Sequence, residues 1–180
     1  MANNNKTSTT KNLVASALLI AIGVVLPQLF HTFGKTAGQV FLPMHIPVIM
    51  AGLMVGPCWG LAVAVFIPVL SSIFLGMPAV PMLWFMIIEL VAYAVFSGML
   101  SEKINIYLNL LITMVFGRLI YGLSLIVAVK LLKMNVPFAG TTAFFAGITK
   151  GLPGIIIQLA IIPPIIYALK KDGFAFLKAK

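Results

Sequence analysis

Long apolar runs alternate with short polar breaks along the whole chain. The runs cover about 13–30, 41–55, 58–75, 82–100, 106–132 and 141–169. Between them lie HTFGKTAGQ (31–39), Gly56-Pro57, GMPAVP (76–81) and SEKIN (101–105). A helix needs roughly 20 apolar residues to cross a bilayer, so six runs are at or near spanning length. The second is short and carries Pro43 and Pro47 at its start, where the first helical N–H groups lack partners in any case. The sixth is expected to be interrupted at KGLPG (150–154). The first looks superficially like a secretory signal, with Lys6 and Lys11 ahead of it. It is longer than a signal's apolar core and no small-residue cleavage site follows, so it reads as a retained helix.

Composition agrees. The chain is 62% hydrophobic and 8% charged, with a mean hydropathy of +1.15, whereas a soluble domain is about a quarter charged. The expected fold is an all-α integral membrane protein, a bundle of six transmembrane helices. A single domain is expected over 1–180, with a polar tail at 1–11 and a basic tail at 170–180. Twelve Lys and Arg stand against three acids, Glu89, Glu102 and Asp172, for a formal net charge of +9. Nucleic-acid binding is set aside, because the chain has no soluble surface to carry it. The basic residues sit mostly in tails and loop ends. With both termini in the cytoplasm, Lys6, Lys11, Lys103, Lys170, Lys171, Lys178 and Lys180 lie inside, and Lys35, Lys130 and Lys133 outside. Seven against three favours N-in, C-in. Loops 31–41, 76–81 and 133–140 then face outward together.

Enzyme chemistry finds no support. Cys58 is the single cysteine, which excludes an intrachain disulfide and a multi-cysteine metal site. Neither HExxH nor GxxxxGK[ST] occurs, so no catalytic residue, metal or cofactor is assigned and ATP hydrolysis would fall to a partner. A stand-alone carrier is an alternative, although 180 residues with no inverted repeat make a small one.

Two sets of small residues have helix-packing spacing: Gly52, Gly56 and Gly60, and Ala17 with Ala21. Such stripes let backbones approach closely, either within the bundle or against a separate membrane partner.

Three charges fall inside the runs: Glu89, Arg118 and Lys150. Each costs about 2.5–3.5 kcal/mol if left in lipid, so each should face protein or a watered cavity. Glu89 and Arg118 are both near mid-membrane and form the natural pair, while Lys150 is shallower. One acid against two bases leaves a positive charge over. Lys150 is then neutral, reaches carbonyls or water, or meets an anionic ligand. A register-fixing pair with a snorkelling lysine remains the purely structural reading. Around them lie His45, Ser71, Ser72, Trp84 and Tyr121, the last one turn beyond Arg118. His45 capping its own helix, Trp84 as an interfacial anchor and serines bonding back to carbonyls are the plainer alternatives.

The stretch 41–100 is similar to the substrate-binding S components of energy-coupling factor (ECF) vitamin transporters. LPMHIPV, AGLMVGPCWG, PVLSSIFLGMP and IELVAYAVFSGML carry the resemblance, together with ALLIA in the first helix. It implies a six-helix subunit of a bacterial plasma membrane that captures a vitamin from outside. Its partners would be a transmembrane coupling subunit and two cytoplasmic ATPases. It further implies a lid at HTFGKTAGQ, which contains Lys35, and a docking stripe for the coupling subunit at Ala17 and Ala21. The substrate would lie among helices 4–6 and the outward loops. The nearest resemblance is to the pantothenate-specific members, whose monoanionic ligand would meet Arg118 and Lys150. Pyridoxine and hydroxymethylpyrimidine members are the alternatives, and cationic thiamin fits worst. The substrate-binding residues expected are Arg118, Lys150, Tyr121, Glu89, His45, Trp84, Ser71 and Lys35.

Overall fold

In the computed structural model the described residues are 2–32, 34, 40–131, 133–134 and 141–171; of these, 2–8, 31, 141–148 and 170 are described as backbone only. Lys35 and most of HTFGKTAGQ, the 135–140 loop, and Asp172, Lys178 and Lys180 lie outside them.

Among the described residues six helices follow one another: α1 (Ala2–His31), α2 (His45–Val55), α3 (Pro57–Leu75), α4 (Met82–Leu100), α5 (Ile106–Ile126) and α6 (Thr141–Lys171). A π-helical turn, Val127–Leu131, extends α5. The described residues contain no strand. Stretches of α1, α3, α4, α5 with its extension, and α6 are long and apolar enough to cross a membrane. At 11 residues, α2 is not; it is about 16 Å long at 1.5 Å per residue, against a hydrocarbon core of about 30 Å. Among the described residues, six helices are therefore present but five are of spanning length. The expected interruption of the last helix is also corrected. α6 runs unbroken through KGLPG with Pro153 inside it, as membrane helices tolerate when neighbours re-satisfy the freed carbonyl.

Side chains are sorted for lipid. Ile73, Phe74, Leu119, Leu123 and Ile156 are exposed, whereas Ser16, Glu89, Ser97, Asn109, Thr113 and Gln158 are buried. An exposed apolar exterior around a polar-seeded interior is the inverse of a soluble domain, and in hydrocarbon it carries no penalty.

The bundle is built around α4, which packs against α2, α3 and α5. α1 covers α2 and α3 through the buried stripe Ser16, Leu19, Gly23 and Pro27. α6 meets α5 and α2. Where α2, α3 and α4 cross, glycines set the spacing. A Cβ on Gly60 would lie 3.1 Å from the Cα of Gly52, and one on Gly98 would lie 2.7 Å from Pro57 N. Gly52 and Gly60 thus act within the bundle, and Gly56 does something else. It joins α2 to α3 at φ 89°, a conformation that costs residues with a Cβ. Beside this crossing Asn109 Nδ2 donates to Ser97 O at 2.9 Å, and Thr113 Oγ1 donates to Asn109 Oδ1 at 3.0 Å. The first bond ties α5 to α4 and the second, within α5, orients Asn109 for it, in an interior where these groups must find partners in the protein.

Candidate functional site

Three helices bring one cluster of polar side chains into the apolar interior. α4 presents Glu89 and, one turn later, Tyr93. α5 presents Arg118, and the first residue of α2 is His45. Arg118 Nη1 lies 3.0 Å from Glu89 Oε1, so the ion pair read from the sequence is present. Tyr93 OH donates to the same oxygen at 3.2 Å. His45 Nε2 is 3.7 Å from it, within reach of an ion pair but beyond hydrogen-bond length. The His45 and Tyr93 rings meet edge to face, centroids 5.0 Å apart and planes at 71°. His45 does not cap its helix: the N-cap is Met44, and no side chain bonds there.

The arginine is only half used. Its Nε and Nη2 are buried without a hydrogen-bond partner, as are both ring nitrogens of His45. Nη2 is pressed against α6 at Gly151, where a Cβ would come within 2.8 Å of it and 3.2 Å of Leu42 Cδ1. A second glycine of α6, Gly154, lets the helix backbone meet the Val40–Phe41 segment, whose carbonyl oxygen would sit 2.7 Å from a Cβ there. The chain from Leu42 to Met44, leading into α2, is buried. Leu42 holds φ 51°, an uncommon and costly conformation for a residue with a branched side chain. Gln158 Nε2 reaches Leu42 O at a long 3.5 Å.

Three other residues expected at the site, Lys150, Ser71 and Trp84, have different surroundings. Lys150 is exposed, not buried. The charges held inside the described spans are therefore Glu89, buried, and Arg118, partly buried, which balance, and the surplus buried cation read from the sequence is not there. Ser71 is buried, but its Oγ donates to Met77 O at 2.7 Å, tying α3 to the loop beyond it. Trp84 is exposed and lines an apolar groove of about 450 Å³ with Phe85, Ile88, Leu123 and Val127. Tyr121 stays near the site: it packs beside Phe85, Leu125 and Ala128, one turn beyond Arg118 and within electrostatic reach of Arg118 and Glu89. Ala17 and Ala21 lie on the exposed face of α1, off its buried stripe. Among the described residues no group of three or more His, Cys, Asp or Glu side chains is placed to hold a metal ion.

Tyr93 and Gly151 were missed in the sequence. Tyr93 had a signal, being four residues beyond Glu89 and so on the same helix face. Gly151 had none, because its role depends on which neighbour α6 meets.

Helices of spanning length, an apolar exterior and a buried, incompletely satisfied cation define a multi-pass membrane protein with an interior polar site. Comparison with protein families makes the class specific: residues 11–166 match the ECF transporter, substrate-specific component family. The chain belongs to that family. It is a membrane-embedded substrate-binding subunit of an ECF transporter, and not an enzyme. Comparison with curated proteins and with solved structures finds no match.

Proposed function

We propose that this subunit captures a small carboxylate-bearing vitamin, pantothenate first, outside a bacterial plasma membrane. It hands the vitamin inward together with a transmembrane coupling subunit and two cytoplasmic ATPases. The observation that supports the ligand class is the open edge of Arg118. Nε and Nη2 lie side by side on a planar guanidinium, and their spacing matches the two oxygens of a carboxylate. Glu89, bonded to Nη1, holds the plane so that this edge stays turned away from it. Pyridoxine or hydroxymethylpyrimidine would bring no carboxylate to that edge.

The edge is buried, so the ligand enters by displacing the Val40–Met44 segment. Two features favour such movement: the costly backbone of Leu42 and its long contact to Gln158. Lys150, exposed one residue before Gly151, serves as an attractor of anions toward the entrance. In this reading the whole chain acts as one domain with both termini inside. The segment before α2 completes a second, shorter crossing. The exposed Ala17 and Ala21 meet the coupling subunit.

Mass spectrometry of the small molecule retained by the detergent-purified protein tests the assignment. Pantothenate in about one-to-one amount is expected; a retained neutral pyridine or pyrimidine would replace the assignment. A second expectation concerns Gly151→Ala. The new methyl meets the far end of a flexible arginine, which can shift by tenths of an ångström, so folding should survive with a loss of about 1 kcal/mol. The shifted guanidinium should bind pantothenate about tenfold more weakly, read by titration calorimetry. Unchanged affinity would remove Gly151 from the site.

A further inference from the structure

Glu89 Oε1 has three neighbours: Arg118 Nη1 at 3.0 Å, Tyr93 OH at 3.2 Å and His45 Nε2 at 3.7 Å. The first two already satisfy it. His45 is 2% exposed, and neither ring nitrogen has a hydrogen-bond partner. A buried polar ring that stands at ion-pair distance from a carboxylate through Nε2, yet completes no hydrogen bond at either nitrogen, is unusual and calls for a reason.

The charges supply one. In the empty site Glu89 and Arg118 cancel without a third charge. If the site is a carboxylate receptor, which this inference presupposes, the ligand adds a second negative charge. One cation would then face two anions away from water, an arrangement that is strongly disfavoured. We infer that His45 takes up one proton from solvent as the anion binds, so that the site captures the anion and a proton together. The proton adds to the bare ring nitrogen, no bond to a heavy atom breaks, and both nitrogens become donors. Nε2–H then closes on Glu89 Oε1 beside Arg118 Nη1, and the Nε and Nη2 donors of Arg118 go to the ligand. Two cations and two anions pair off.

Besides Glu89, which already accepts from Arg118 Nη1 and Tyr93 OH, no other described group is placed to do this. α4 contributes Glu89 and Tyr93, and Tyr93 already donates to Glu89. α5 contributes Arg118, with Tyr121 one turn beyond it. α3 contains no Asp, Glu, Lys, Arg or His. Lys11 of α1 and Lys150 of α6 are exposed.

The bound state holds one proton more than the free state, so affinity must rise as pH falls. The limiting slope is about tenfold per pH unit where His45 is neutral when empty and charged when full. The test is titration calorimetry of the detergent-purified chain between about pH 6 and 8. Pantothenate is the probe, with biotin and nicotinate as further carboxylates, each in phosphate and in Tris. The two buffers differ in ionisation enthalpy, so the difference in heat counts protons. Uptake of about one proton is expected in the wild type, and none in His45→Gln. Binding without proton uptake overturns the inference and leaves the carboxylate receptor standing. Uptake that persists in His45→Gln assigns the proton to a group other than His45 and also overturns it. If none of the three carboxylates binds at any pH, the receptor reading and this inference fall together. Nitrogen-15 NMR of histidine-labelled wild type decides the point without a variant: ligand should convert one imidazole to imidazolium, and an unchanged spectrum on binding overturns the inference.

Discussion

Arg118→Met is expected to lower stability by about 3–5 kcal/mol, because it strands the buried Glu89 carboxylate without its counter-charge. Adding Glu89→Gln should recover most of that loss. A glutamine oxygen still accepts from Tyr93 OH, and a neutral amide beside a methionine has no charge to compensate. Removing both members of a buried pair is commonly close to neutral, whereas removing one is not. Thermal unfolding in detergent would read both variants. Binding should separate from stability in the repaired double variant. It folds but lacks the Nε and Nη2 donors, and two charge-assisted bonds at about 1.5–3 kcal/mol each correspond to at least a hundredfold loss of pantothenate affinity. A double variant that is stable and binds normally would reduce Arg118 to a register pin. A single Arg118→Met as stable as wild type would mean that Glu89 is not held in a dry interior.

Gly52→Ala is expected to be the most damaging small substitution in the bundle. Its methyl would run into the Ala94 carbonyl oxygen and Ser97 Oγ, with Gly98 N at 3.1 Å. Backbone atoms of α4 cannot yield as a side-chain tip can, so α2 must be pushed off the helix that carries Glu89. Overpacking of this kind costs about 1–3 kcal/mol, and more where backbone must move. The upper end is expected here, seen as a lowered Tm and poor recovery from membranes. The contrast with Gly151→Ala is physical: the same added methyl meets rigid backbone in one place and the end of an arginine in the other. An unchanged Tm would show that α2 and α4 do not cross at this glycine.

Much of this was readable from residue order. Five long apolar runs appear as helices close to where the pattern puts them, because hydrocarbon imposes length and composition on anything that crosses it. Glu89 and Arg118 could be paired in advance, since two opposite charges at similar depth leave each other as the cheapest partner. The second helix was harder. Its apolar run begins at 41, but Leu42 turns to positive φ and the helix begins at His45. The AxxxA and GxxxG spacings look alike on paper, yet α1 turns Ala17 and Ala21 outward while Gly52 and Gly60 face each other. Spacing places residues on a common helix face without saying what that face meets.

Lys150 shows the same division most clearly. Its position in an apolar run suggested a buried cation and a surplus of charge, but it is exposed and the buried pair is balanced. The argument for an anion therefore moves from unpaired charge to unpaired donors. By itself the sequence determined a membrane bundle with an acid and an arginine at matching depth, because burial in lipid is a one-dimensional constraint that each residue meets locally. Tertiary structure alone decided that Arg118 keeps its Nε and Nη2 open, that Tyr93 and His45 converge on one carboxylate oxygen, and that Gly151 makes room for the guanidinium. Those are distances between atoms on different helices, set by how backbones cross, and no spacing along one chain encodes them.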